Sequence, residues 1–375
     1  MDLKNLTIKS ARQLLDSKEL SVKELTNEYL KNINKRNKEL NVFLEVYGDI
    51  NEQVERAQEI IDKGEAKELT GIPLAIKDCI LIKDRIVSGG SKILENYKAT
   101  YSATVVNKIN KQNVIWMGRT NMDEFALGSS TENSAYGPTR NPYDISRVAG
   151  GTSGGSAVAV ATQMSLGALG SDTGGSVRAP ASFCGVVGLK PTYGRTSRYG
   201  LMAAASSLEG VGTIAKNVPD AETIFNVIKG KDKMDSTSIE GGVKKRKEGI
   251  IKIGVPHNLL DQKGISVEVK ENFNNSVKKL ENLGFEIVDL KLKNIDKVLA
   301  VYYIINFAEV SSNLARFDGV KYGLHIDSGE NLLQDYLTTR GKGFGKESRR
   351  RIILGTYVLS AGYYDAYYSK AMMAR

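Results

Sequence analysis

The sequence predicts an α/β protein, and three observations carry that expectation. Between Gly71 and about Gly230, short apolar runs such as Ile72 to Ile82 and Val114 to Gly118 alternate with Gly/Ser-rich turns and small-residue segments. That is the texture of strands buried on both faces. Beyond residue 250 a strand, helix, strand order returns. Ile250 to Pro256 reads as a strand, Val269, Phe273, Val277 and Leu280 as a helical stripe closed by Gly284, and Phe285 to Leu292 as the next strand. Finally, 375 residues with 41% hydrophobic and 25% charged side chains are ordinary globular composition, which excludes collagen, coiled coil and disorder.

The elements in chain order begin with two amphipathic helices. One starts near Thr7; the second is capped by Ser21 with Glu24 three residues on, and presents Val22, Leu25, Tyr29 and Ile33 along one face. A charge-rich helix is expected over Asn51 to Lys63, followed by a Gly-Ile-Pro break. The expected organisation is a helical segment over 1–64 that packs on the core, a core over 65–230 and a polar loop over 231–249. Residues 250–375 form a second α/β and helical part of the same domain. Lys244, Lys245, Arg246 and Lys247 read as a solvated face, because one short charge run without interleaved aromatics is a poor nucleic-acid site.

The formal charge is +9, from 52 basic and 43 acidic residues, which permits an acidic partner such as RNA without requiring one. Cys79 and Cys184 are the only cysteines and lie 105 positions apart, which suits reduced, buried thiols in a cytoplasmic protein. With His257 and His325 the only histidines, no CxxC or HxxxH ligand set exists, so metal chemistry is not expected. The amino terminus carries no secretion signal, and no run of about 18 consecutive apolar residues occurs, so no membrane span is expected.

The densest feature is Ala149-Gly150-Gly151-Thr152-Ser153-Gly154-Gly155-Ser156, followed from Gly170 by Gly-Ser-Asp-Thr-Gly-Gly-Ser-Val-Arg. Three uses compete for such runs. A linker is disfavoured because both are flanked by Ala/Val-rich segments that need burial. A phosphate loop would require G-x-x-x-x-G-K-[ST], and its lysine is missing. The remaining use is a nucleophile with backbone N–H donors beside it. Thr173-Gly174-Gly175-Ser176 supplies consecutive amides, with Ser176 as the natural nucleophile. Since histidine is scarce, the base should be a lysine made neutral by desolvation, and Lys77 lies in a mostly apolar strand. Taken alone, Lys77 could equally serve an ion pair with a neighbouring Asp.

The combination of Ile76-Lys77-Asp78, the Gly-Gly-Thr-Ser-Gly-Gly-Ser run at 150–156, the Gly-Ser-Asp-Thr-Gly-Gly-Ser run at 170–176 and Ser-Phe-Cys-Gly-Val-Val-Gly-Leu-Lys-Pro-Thr at 182–192 resembles the amidase signature family. Further runs at 120–126, 193–201, 232–238 and 362–368 extend the likeness to the tRNA-dependent amidotransferases within it. The resemblance implies a mixed central sheet covered by helices on both faces and a Ser-cisSer-Lys triad. By position, Ser176 would be the acyl-ester nucleophile and Lys77 the base. Thr152, where the family usually has serine, would be the relay on a non-proline cis peptide, with Ser153 as possible relay support. The amides of Thr173, Gly174, Gly175 and Ser176 would hold the oxyanion, Asp172 and Arg178 would brace the loop, and Tyr302 and Arg351 would orient glutamine.

The implied activity is glutamine hydrolysis, with the ammonia passed to a partner, the B subunit, that uses ATP and Mg²⁺ to activate misacylated Glu-tRNA or Asp-tRNA. A small C subunit bridges the two in a cytoplasmic heterotrimer, tRNA is bound mainly by the B subunit, and this chain holds no cofactor and meets no membrane. The rival readings are stand-alone hydrolysis of other small amides, a nucleotide-binding protein and a non-catalytic subunit. Family members continue past the Gly-Tyr-Tyr-Asp-Ala-Tyr-Tyr helix with further strands and an acidic residue for glutamine's amine, so a shortened form with an incomplete sheet is expected.

Overall fold

Thr7 and Ser21 each cap a helix through their hydroxyls. Thr7 accepts from the Ser10 amide ahead of α1 (Ile8–Asp16), and Ser21 accepts from the Glu24 amide ahead of α2 (Val22–Leu40). Both are reciprocal capping boxes, which satisfy N–H groups that a helix start leaves without partners. The computed structural model describes residues 2–241, 251–260, 262 and 264–375. Asn41, in the left-handed region, ends α2 and turns the chain into β1 (Phe43–Val46), followed by α3 (Ile50–Asp62).

Next come β2 (Pro73–Lys77), α4 (Thr104–Asn110), β3 (Ile115–Thr120), α5 (Gly154–Ala161), β4 (Gly167–Asp172), α6 (Arg178–Phe183), β5 (Val187–Leu189), β6 (Gly210–Ala215) and α7 (Val218–Ile228). The six strands form one sheet in the order β1-β3-β2-β4-β6-β5. β2 runs parallel to both β3 and β4, whereas β1 with β3, β4 with β6, and β5 with β6 are antiparallel. The sheet is therefore mixed, as the resemblance implied. Every residue of β2, β3 and β4 is buried, which explains why these strands read as unbroken apolar or small-residue runs.

Helix α5 is the central piece. Its sequence, Gly-Gly-Ser-Ala-Val-Ala-Val-Ala, is apolar all round, as a helix buried within a protein must be. A β-carbon at Gly155 would stand 2.6 Å from the Asn121 amide and carbonyl atoms, so only glycine lets this helix approach the loop after β3 so closely. The amphipathic faces of α1, α2 and α3 share one hydrophobic core with the sheet, Tyr29, Leu25 and Ile33 among them.

Two compact units divide the chain: Met1–Gly241 with Tyr303–Arg375, and Gly242–Tyr302. Residues 303–375 thus group with the first unit, and the middle segment forms the second. The second unit contains β7 (Lys252–Val255), α8 (Val267–Asn282) and a parallel β8 (Glu286–Asp289), the strand, helix, strand order read from sequence. The stripe on α8 is less covered than its spacing suggests, with Val269 58% and Phe273 37% exposed. A two-stranded sheet offers little apolar surface to a 16-residue helix.

The carboxyl-terminal part is helical as expected: α9 (Val298–Asn313), α10 (Leu332–Gly343), α11 (Lys346–Leu359), a π-turn over Tyr364–Ser369 and α12 (Lys370–Ala374). One helical stretch, Ile295–Arg316, is long and apolar enough by composition to cross a membrane, which the lack of a long unbroken apolar run did not foretell. Its later half is tied into the protein by polar pairs, Glu309 accepting from Ser207 and Asn306 from Arg351. The polar loop expected at 231–249 is anchored at its start, where Asp235 pairs with Arg198 at 2.7 Å and Asp232 accepts from Ser197. Lys244 to Lys247 lie outside the described residues.

Candidate active site

Three loops converge at one end of the parallel strands. Lys77 is the last residue of β2 and is fully buried. The β2–β4 register, Leu74↔Gly167 to Ile76↔Leu169, brings Lys77 level with the end of β4, where Ser171 and Asp172 sit. The Lys77 Nζ donates to Thr152 Oγ1 at 2.6 Å, to Ser171 Oγ at 2.9 Å and to the Ser171 carbonyl at 3.3 Å. Among the described residues Lys77 forms no ion pair. The neighbouring Asp78 binds Arg119 at 3.0 Å instead, which removes the alternative reading of Lys77 as half of a structural pair.

Burial pushes the Lys77 amine below the ordinary lysine value of 10.5. The carboxylates of Asp123, Asp172 and Glu209 act in the opposite sense but do not cancel it. An amine so placed loses its proton more readily than a surface lysine.

Thr152 is joined to Gly151 by a cis peptide bond, the backbone form that the resemblance implied at this position. Its hydroxyl is the one hydroxyl of the Gly/Ser loop that meets Lys77. Ser153 is turned away: its Oγ donates to the Ser171 carbonyl at 3.1 Å, and its amide donates to the Ser176 carbonyl at 3.0 Å. The second bond stitches the Gly/Ser loop to the nucleophile loop. Ser153 therefore ties the backbone together, and no described hydrogen bond joins its side chain to Lys77.

Ser176 lies between β4 and α6 with 7% of its surface exposed. The turn around it is organised by Asp172, whose fully buried carboxylate accepts from the amides of Gly175 (2.9 Å), Val177 (3.0 Å) and Arg178 (3.3 Å) and from the Arg178 guanidinium at 3.0 and 3.1 Å. Burial alone would raise this carboxyl. The bonds from Arg178 and Val177 outweigh it and hold the group below its ordinary value of 3.8. Asp172 and Arg178 thus brace the loop, as expected. One consequence differs from the sequence reading, because the Gly175 amide is spent on Asp172. Of the four amides expected to face an oxyanion, those of Thr173, Gly174 and Ser176 donate to nothing among the described residues.

Asp172→Asn is expected to destabilise the protein by about 1–3 kcal/mol at neutral pH, because buried N–H donors lose a charged acceptor. Since the folded pKa is depressed, the contribution is complete above 3.8 and disappears as pH falls through the lower folded value. Denaturant midpoints of the two proteins should therefore converge below pH 3.8.

Two further residues were named from the sequence, Arg351 and Tyr302. Arg351, on α11, is 5% exposed, donates to Glu347 at 2.7 Å and Asn306 at 2.9 Å, and lies over the Tyr303 and Phe307 rings. Tyr302 is half-buried on α9, at the last position of the second unit. No described hydrogen bond joins Arg351 to Lys77, Thr152 or Ser176. Sequence reasoning missed Ser171, which holds Lys77 from the next strand, and the buried Asp123 beneath the Gly/Ser loop. Ser171 stands within the Gly-Ser-Asp-Thr-Gly-Gly-Ser run, but its pairing with Lys77 follows from strand register and not from spacing. Among the described residues, no group of three or more His, Cys, Asp or Glu side chains is arranged to hold a metal ion.

A buried lysine, a hydroxyl at 2.6 Å and a serine on a glycine turn coincide with a match of residues 24–375 to the amidase family model. This chain belongs to the amidase family. The glutamyl-tRNA(Gln) amidotransferase A subunit of Ruminiclostridium cellulolyticum is 48% identical to this amidase over 383 residues, an alignment that covers 100% of this chain and 79% of the relative. That of Caldanaerobacter subterraneus is also 48% identical, over 100% and 78%. The crystal structure of the glutamyl-tRNA(Gln) amidotransferase A subunit from Thermotoga maritima superposes with a TM-score of 0.75 at 40% identity, covering 100% of this chain and 75% of that one. Native peptide amidase from Stenotrophomonas maltophilia superposes with a TM-score of 0.83 at 26% identity, covering 100% and 79%. The mixed sheet flanked by helices is therefore the amidase-signature architecture.

Proposed function

We propose that this amidase is the glutamine-hydrolysing subunit of a tRNA-dependent amidotransferase, with Ser176 as nucleophile, Thr152 as proton relay and Lys77 as base. The observation that carries the reading is the 2.6 Å bond between a fully buried lysine amine and the Thr152 hydroxyl. The family relationship and the 48% identity to glutamyl-tRNA(Gln) amidotransferase A subunits support the choice of substrate.

In the proposed cycle Lys77 starts neutral and accepts the Thr152 proton while Thr152 Oγ1 takes the proton of Ser176. The Ser176 oxygen bonds to the side-chain amide carbon of glutamine. Negative charge develops on the amide oxygen, where the Thr173, Gly174 and Ser176 amides are available as donors. The proton returns along the same path to the departing nitrogen, the C–N bond breaks, and ammonia leaves a γ-glutamyl ester. Water attacks that ester under the same base, releasing glutamate and restoring Ser176. Arg351 would meet the amino-acid end of glutamine.

The partners belong to the same proposal. A B subunit, using ATP and Mg²⁺, would activate misacylated Glu-tRNA(Gln), Asp-tRNA(Asn) or both. A small C subunit would join the two chains, and the heterotrimer would work in the cytoplasm. This chain itself would hold neither nucleotide nor metal.

Co-expression with B and C subunits, followed by measurement of ammonia and glutamate released from glutamine, tests the reading. Equimolar release that disappears in Ser176→Ala is the expected result. Release insensitive to that substitution would refute it, and preference for other small amides would transfer the chain to the stand-alone amidases.

A further inference from the structure

The loop after β3 takes no part in the cycle above, yet it lies against the relay. Asp123 within it is fully buried, and its carboxylate gathers the loop around itself. Oδ2 accepts from the Thr131 amide at 2.8 Å; Oδ1 accepts from the Asn133 amide and side-chain nitrogen at 3.1 and 3.2 Å. The same carboxylate abuts Gly151. A β-carbon there would stand 2.4 Å from Asp123 Oδ2 and 2.8 Å from the Ser130 and Thr131 amides, so only glycine admits the approach. The Thr131 hydroxyl completes the clasp by donating to the Gly150 carbonyl at 2.8 Å.

Residues 150 and 151 are thereby held by two buried side chains, and Thr152 is the next residue in the chain. Among the described residues Asp123 has no ion-pair partner, so the three N–H donors are what make its burial tolerable. Such a group is costly to keep in a core, and here it sits one residue from the proposed relay.

We infer that Asp123 and Thr131 are positioning residues for the hydroxyl relay, fixing the Gly150-Gly151 backbone so that Thr152 Oγ1 stays within bonding distance of Lys77. This rests on the functional reading above and extends it to residues that touch neither substrate nor the reacting atoms. The Asp123 carboxylate also contributes negative charge to the surroundings of Lys77, together with Asp172 at the end of β4 and Glu209 before β6. Each favours the protonated amine. Removing the Asp123 charge therefore makes Lys77 neutral at lower pH.

The test is the rate at which a fluorophosphonate labels Ser176 in the full chain, alone and with the B and C subunits. That readout needs an activated hydroxyl but no particular amide substrate. Thr131→Val, close in volume but without the hydroxyl, is expected to slow labelling by about 10- to 100-fold, the scale of a misplaced reacting group. Thr131→Ser should restore most of it. Asp123→Asn should slow labelling and also move the acidic limb of its pH profile to lower pH, which loosened packing alone would not do. Labelling at the parental rate in both Thr131→Val and Asp123→Asn overturns the clasp, as does a Thr131→Ser protein no faster than Thr131→Val with an unchanged melting temperature. If the parental Ser176 is not labelled at all, the functional reading fails instead.

Discussion

Lys77→Met is expected to abolish glutamine hydrolysis while leaving the fold intact. The loss should be about 100- to 10,000-fold, the usual contribution of a positioned general base. Methionine fills a similar volume, and the site is fully buried, so removing a charge there relieves a desolvation penalty. The melting temperature should accordingly be no lower than the parent's, and a fall in both activity and stability would contradict the reading of Lys77 as a desolvated base. The pH dependence has a definite sign. Activity requires the neutral amine, so the rate should rise with pH along a limb centred below the ordinary 10.5. Between the lowered folded pKa and 10.5 the unfolded chain binds more protons than the folded one, so stability also rises with pH across that window. Lys77→Met should flatten both curves.

Thr152→Ala should be nearly as damaging as Lys77→Met, because it removes the hydroxyl that bonds Nζ at 2.6 Å and no other side chain of the Gly/Ser loop replaces it. A loss of about 100- to 10,000-fold is expected, by the same reasoning for a proton-transfer group. Thr152→Ser keeps the oxygen and removes a methyl that restricts χ1, and should retain most of the rate. Ser153→Ala should cost far less than Thr152→Ala, since the Ser153 hydroxyl is committed to the Ser171 carbonyl. Steady-state ammonia release by the four proteins decides the point. Parental turnover in Thr152→Ala removes the relay role, and equal losses in Thr152→Ala and Ser153→Ala would return Ser153 to candidacy.

The legible parts of the structure were those that local chemistry dictates. Ser21 and Glu24 announce a capping box, and the box is formed. The spacing of Leu25, Tyr29 and Ile33 announces a buried face, and all three are buried. The stripe on α8 was equally regular, yet Val269 and Phe273 remain substantially exposed, because periodicity states which residues share a face and not how much surface is available to cover it. In the site, Ser176, Lys77 and Thr152 could be named from their motifs and the resemblance those motifs carry. Nothing in the order Asp-Thr-Gly-Gly-Ser reveals that the aspartate turns back to take the Gly175 amide.

By itself the sequence determined the α/β class, the helix starts and which candidate groups could carry a reaction. Each of these follows from residue type and near-neighbour spacing. Tertiary structure alone decided that Lys77 meets Thr152 across 75 positions and that Ser171 holds the same amine across 94. It also decided that Asp78 pairs with Arg119, and that Asp123 lies under Gly151. The reason is strand register: parallel pairing of β2 with β4 sets which side chains emerge side by side at the sheet's end, and that alignment belongs to no single segment.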